Sequence, residues 1–168
     1  YPIAAVKLLI FTGARRNEIL TLKWSEVDLA QGIISLTNSK TGPKPIYINA
    51  PAREVLSTLP RQKDNPYVIC GALKQAHLVN IRKPWLRIRS IATITLWQQD
   101  ENIDQFVCEY INKNRKYPSI DKIRIFAKRE QLELCSGLLD MRLHDLRHSF
   151  ASVAAMGGLS LPIIGKLL

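Results

Sequence analysis

His144-Asp145-Leu146-Arg147-His148-Ser149-Phe150-Ala151-Ser152-Val153-Ala154-Ala155-Met156, followed by Gly157-Gly158, joins a helical pattern to a dense group of ionisable side chains. Leu146, Phe150, Val153 and Ala154 recur at three- and four-residue steps, which predicts one inward face on a helix from His144 to Met156. The two glycines end it. His144, Arg147 and His148 crowd its first turn. Two histidines one turn apart suit a metal ion, but no third ligand suggests itself. What remains is proton exchange near neutral pH and a guanidinium able to grip a phosphate with two parallel hydrogen bonds.

Working outward, two distant segments add to that chemistry. The first is Thr12-Gly13-Ala14-Arg15-Arg16-Asn17-Glu18. Residues 2 to 12 are almost wholly apolar and predict a buried helix, which Thr12-Gly13 breaks. A second helix then runs from about Arg15 to Leu22, with Ile19, Leu20 and Leu22 on one side. A cation at a helix start opposes the helix dipole, so Arg15 either faces solvent or awaits an anion. The second segment is Ser39-Lys40-Thr41-Gly42. Ile33, Ile34 and Leu36 on one side and Ile46, Tyr47 and Ile48 on the other predict a hairpin with Lys40 at or near its tip. By residue type alone Lys40 is a solvated lysine; at a hairpin tip it also reaches an adjacent oxygen. Two arginines, one lysine and two histidines are equipment for phosphoryl transfer without a metal. No carboxylate cluster with metal-ligand spacing competes.

The rest of the chain predicts a mainly α (α+β) fold. Ser25 caps a short turn through Asp28. Asn49 and Pro51 start a helix with Ala52, Val55, Leu56 and Leu59 inward, and Pro60 ends it. Tyr67-Val68-Ile69 reads as a short strand. Leu78, Ile81, Trp85, Leu86 and Ile88 predict a helix that Pro84 must kink or split. Ser160 caps a last helix, Leu161 to Leu168.

Composition narrows the partners. Lys plus Arg exceed Asp plus Glu by 24 − 14 = 10 charges, which suits a polyanion. Arg16, Lys44, Arg82, Lys83, Arg87 and Arg89 are DNA-backbone candidates or plain surface. Apolar residues make up 46% of the 168, enough for a core. No stretch approaches the roughly 18 apolar residues of a membrane helix, so no membrane partner is expected. Cys70, Cys108 and Cys135 are far apart and read as packed thiols, with the cytosol as default compartment and no metal or cofactor expected. Tyr1 and the absence of a charged leader suggest a chain that begins mid-protein.

In order and surroundings these motifs resemble the tyrosine recombinases, the family of phage integrases. The resemblance rests on the pattern TGxRxxE at residues 12–18, the hairpin lysine, and HxxRH at residues 144–148. Leu22-Lys23-Trp24, Val27-Asp28-Leu29, Arg82-Lys83-Pro84-Trp85, Ser149-Phe150-Ala151-Ser152 and the segment from Gly158 to Leu168 agree with it. It covers about 120 residues. It implies the tyrosine-recombinase catalytic-domain fold with a small antiparallel β-sheet, acting on double-stranded DNA of a phage, prophage or other mobile element, with self-association on DNA as a tetramer. Arg15 and Arg147 would clamp the scissile phosphate. Lys40 would protonate the leaving 5′ oxygen, and His144 would assist proton transfer or bind a phosphate oxygen. Glu18 would be a structural support and His148 would stand behind the reacting groups. The family's nucleophile is a C-terminal tyrosine that forms a phosphotyrosyl link.

Two departures qualify the resemblance. Tyr1, Tyr47, Tyr67, Tyr110 and Tyr117 all lie outside the nucleophile's expected place, which would follow Leu168. The expectation is a fragment lacking its nucleophile and inactive alone, with a catalytically inert DNA-binding remnant as the alternative. Second, an inserted helical hairpin is expected at residues 90–136, between catalytic-domain parts at 1–89 and 137–168. Asn102 to Asn114 carries Ile103, Phe106, Val107, Tyr110 and Ile111 at helical spacing, and Ser119 caps a second helix with Ile120, Ile123 and Phe126. The pair resembles the first two helices of winged-helix repressors, without a third, recognition-type helix.

Overall fold

A computed structural model describes residues 1–37 and 42–168. The chain divides into two compact units, one formed by Tyr1–Ile81 with Arg142–Leu168, the other by Arg82–Met141.

The first unit is organised around α1 (Pro2–Thr12), whose Ala5, Val6, Leu8 and Leu9 are buried. Pro2 opens it, where a missing N–H costs nothing. Gly13 closes it at φ 63°, donating its N–H to Leu9 O at 3.1 Å. A Cβ at Gly13 would stand 2.5 Å from Phe150 Cδ1, so glycine is required both for the left-handed turn and for the close approach. The chain thus turns sharply into α2 (Arg16–Leu20), with Arg15 as its N-cap residue. Ile19, Leu20 and Leu22 are all buried, as their spacing predicted.

A 3-10 turn at Trp24–Glu26 leads to a three-stranded antiparallel sheet in the order β1 (Val27–Asp28), β2 (Ile33–Leu36), β3 (Lys44–Tyr47). Lys23, not Ser25, precedes that turn, and Glu26 holds it by accepting from Lys23 N. The register pairs Ile34 with Ile46 and Leu36 with Lys44. The hairpin tip at residues 38–41, Lys40 included, lies outside the described residues. Asn49 Oδ1 caps α3 (Ala50–Thr58) by accepting from Ala52 N, and Ala52 and Leu56 face inward.

Residues 67–69 do not form a strand. Isolated bridges Lys23↔Tyr67 and Cys70↔His77 stitch this stretch, with Val68 N donating to Leu22 O. These side chains are buried by loop packing, so apolar content alone misled the strand reading.

α7 (Asp145–Met156) returns to α1 and continues into α8 (Leu161–Leu167). Leu146 is buried, whereas Val153 is 69% exposed, contrary to its predicted inward place. Helical periodicity gives an apolar face without saying what covers it.

The second unit comprises α4 (Arg82–Trp97), α5 (Glu101–Asn114) and α6 (Ile120–Arg129). α4 starts four residues later than Leu78, so Pro84 falls in its first turn, where proline interrupts no helical hydrogen bond. Ile94, Trp97, Ile103, Val107 and Ile123 form the core, and Phe106 stacks on Phe126 at 4.3 Å between centroids. Asp100 and Ser119 cap α5 and α6. The tail closes over the core: Trp97 Nε1 donates to Cys135 O at 2.8 Å, and Leu138 N to Thr93 Oγ1 at 2.9 Å. This unit is wider than the 90–136 stretch expected to be inserted, taking in Arg82–Arg89 and residues up to Met141.

Candidate functional site

The first unit gathers three cations around one carboxylate. Arg15 arrives at the α1–α2 turn, Glu18 in the first turn of α2, Lys44 at the start of β3 and Arg147 in the first turn of α7. Glu18, with its side chain 6% exposed, accepts from Arg15 N at 2.8 Å and from Arg15 Nη1 at 3.0 Å. The backbone bond satisfies an N–H that the helix start leaves open. The same carboxylate lies 3.4 Å from Lys44 Nζ.

Arg147 completes the group from the other end of the chain. Its Nη1 donates to Gly13 O at 2.6 Å, and its Nη2 donates to Leu168 O. Lys44 Nζ donates to that same Leu168 oxygen at 2.9 Å. Two cationic donors therefore share the Leu168 oxygen.

Electrostatics follow from three positive groups and one negative group in partial burial. Burial pushes the Glu18 carboxyl up, but the Arg15 N–H and guanidinium and the Lys44 charge outweigh it and hold the group below the usual carboxylate range. Lys44 moves the other way for a lysine with an acidic partner. Burial lowers it most, Glu18 opposes, and the charges of Arg147 and Arg15 help leave it below the ordinary lysine value. Burial and Arg15 likewise lower Arg147, against Glu18. The cluster carries more positive than negative charge, an imbalance that an added anion would relieve.

Within the first unit, the remaining expected site residues make no hydrogen bond to this group among the described residues. His144 is the residue before α7, exposed, with its ring edge-on to His148 at 5.0 Å and 88°. Among the described residues neither imidazole hydrogen-bonds to Arg15, Glu18, Lys44 or Arg147. Asp145 instead fixes the start of α7 by accepting from Arg142 N at 2.7 Å, which with the Arg142 charge holds its carboxyl below the usual value. Arg16 is exposed, its Nε on Asn17 Oδ1. Arg82 and Lys83 open α4 in the second unit. Arg89, read with them as a backbone candidate, donates to Met141 O at 2.6 Å. Lys44, read as a backbone contact or plain surface, is largely buried against Glu18. It shares the parity of buried Ile46 and Ile48, so strand alternation puts it on the inner face; that signal was available.

The chain matches the family model for the phage integrase family over residues 2–168. The chain belongs to the phage integrase family. Among solved structures, XerA recombinase superposes with a TM-score of 0.58 at 20% identity, covering 99% of this chain and 46% of XerA. The Tn1549 transposon integrase, solved in complex with circular intermediate DNA, gives 0.51 at 13% identity, covering 98% of this chain and 48% of its own. These likenesses confirm the integrase catalytic-domain fold expected from the motifs. The chain spans about half the length of the solved structures it matches. No curated protein matches it.

Proposed function

We propose that this chain supplies the phosphate-activating part of a site-specific DNA recombinase, which cleaves and rejoins duplex strands through a phosphotyrosyl intermediate. The observation that carries the reading is the grouping of Arg15, Lys44 and Arg147 about Glu18, with Arg15 tied to Lys44 through that carboxylate and Arg147 held on Gly13 O. In the reaction a tyrosine oxygen bonds to phosphorus, the bond to the 5′ oxygen breaks, and that oxygen takes a proton. Charge accumulates on the two non-bridging oxygens, where Arg15 and Arg147 would stabilise it. Lys40 would give the proton, and His144 would assist or bind a phosphate oxygen. One phosphodiester is exchanged for another, so no outside energy source is consumed. Duplex DNA is the partner, with several copies of the protein assembled on it.

Lys44 enters this reading in a role of its own. It balances Glu18, so that Glu18 orients Arg15 without cancelling the charge offered to phosphate.

The test has two readouts. Duplex DNA binding, followed by fluorescence anisotropy across salt, should weaken about tenfold in Arg147→Ala and Arg15→Ala, a loss of roughly 1.4 kcal/mol. Incubation with nicked duplex, then denaturation, asks whether a covalent protein–DNA species forms and which tyrosine it holds. Unchanged binding in both arginine variants would overturn the reading. Binding that depends on both arginines but yields no covalent species in any mixture of copies would leave the inert DNA-binding remnant as the function.

A further inference from the structure

A second cationic site lies wholly within the Arg82–Met141 unit. Arg87, Ser90, Ile91 and Ile94 of α4, Ile111 of α5, and Arg115-Lys116-Tyr117-Pro118 after it line a cavity of about 530 Å³. Its floor is apolar, with Ile94 1% exposed, and its rim carries Arg87, Arg115 and Lys116. Among the described residues none of these three cations has an ion pair or a side-chain hydrogen bond, and no acidic residue lines the cavity. Charge is also sorted along α5: Asp100, Glu101 and Asp104 gather at its start, while Lys113, Arg115 and Lys116 gather at its end. Tyr117 stands 45% exposed beside the three cations.

We infer that this cavity binds an unpaired nucleotide of a DNA strand. Arg87, Arg115 and Lys116 would take the phosphate, and Tyr117 with Ile91 and Ile111 would take the sugar or base. The volume falls in the range of roughly 300–1,000 Å³ typical of small-ligand sites. A duplex presents phosphates on a convex ridge and keeps its rings stacked inside, so it would leave the apolar floor bare. A nucleotide out of the stack offers both an anion and a ring, and aromatic stacking of this kind tolerates any base. Three unpaired cations around an apolar floor fit that combination better than either feature fits alone. The inference takes DNA as its partner from the reading above, but none of its residues belongs to the Arg15–Glu18–Lys44–Arg147 group.

The test uses the whole chain with a fluorescein-labelled oligothymidylate carrying 5-iodo-deoxyuridine. Ultraviolet cross-linking followed by peptide mapping should place adducts at Tyr117 or its neighbours. Arg115 sits at φ 55°, a backbone conformation glycine adopts freely, so Arg115→Gly removes the charge without strain. That variant, and Tyr117→Ala, should each lower affinity for the oligonucleotide by about tenfold. An unchanged affinity in Arg115→Gly, or adducts confined to residues 1–81 and 142–168, would overturn the inference. So would equal displacement by the matching duplex, which would make the site a backbone contact. Displacement by free thymidine monophosphate at equal nucleotide concentration would also overturn it, since the occupant would then be a mononucleotide. Duplex binding that still depends on Arg15 and Arg147 would show that only the pocket reading had failed.

Discussion

The two cationic groups of this protein are built on opposite principles. Around Glu18, every cation has an acceptor inside the fold: Arg15 and Lys44 share the carboxylate, and Arg147 holds Gly13 O and, with Lys44, Leu168 O. Around the α4–α5 cavity, Arg87, Arg115 and Lys116 have none among the described residues. Internal acceptors fix direction, so the first group can discriminate an oxygen by position. Free side chains on a rim keep their rotamers and adapt to a ligand, losing entropy only when it arrives. Charge count alone would have ranked the groups as equals.

The largest test of this contrast asks whether the second unit can be lost without the first. Ile123→Ala removes a fully buried side chain from the core of the second unit and should cost about 3 kcal/mol. Hydrogen exchange should show that loss in α4–α6 while amides of α1 and α7 keep their protection. Equal loss in both would mean that the two units unfold as one. Next, Glu18→Gln keeps the shape but removes the negative charge that Arg15 and Lys44 share. Urea unfolding should report a loss of about 2 kcal/mol, and little change would show that the cations hold their places without it.

A smaller effect falls on the second unit. Asp100→Ala deletes the side chain that accepts from Asn102 N and Ile103 N at the start of α5, and should cost about 1 kcal/mol in the same urea experiment. The cavity cations belong to the other end of that helix, so oligonucleotide affinity should stay as it was. The smallest effect is a pH dependence. The folded protein holds Glu18 below its unfolded pKa, so its contribution is present above the unfolded value. It is lost as pH falls below about 4. Thermal unfolding of the wild type should show this acid loss, and Glu18→Gln should flatten it; identical profiles would remove Glu18 as its source.

Much of this was legible because local signals agreed with the tertiary result. α1 covers the apolar run of residues 2–12 and ends at Gly13 as predicted, and Ser119 and Asn49 cap the helices assigned to them. Arg147 reaches across 134 residues to Gly13 O, beside the turn that carries Arg15. The misreadings share a physical origin. Val68 and Ile69 are fully buried without a ladder, and Val153 is apolar without cover; both depend on what lies across from them, which periodicity does not encode. Pro84 was judged by its usual effect on helix interiors, when the start of α4 at Arg82 made it harmless. Lys44, read as a backbone contact or plain surface, turns inward with Ile46, which its strand parity already indicated.

The hydrogen bond from Arg147 to Gly13 also has a consequence for the newborn protein. At synthesis speeds of about 5–20 residues per second, Gly13 waits roughly 7–27 s for its partner to be made. The residues of the second unit are translated in that interval. While it lasts, the face of α1 that will receive α7 has no cover, and the arginine that completes the anion site does not yet exist. The Arg15–Glu18–Lys44–Arg147 group is assembled only once α7 has been made and docks on α1.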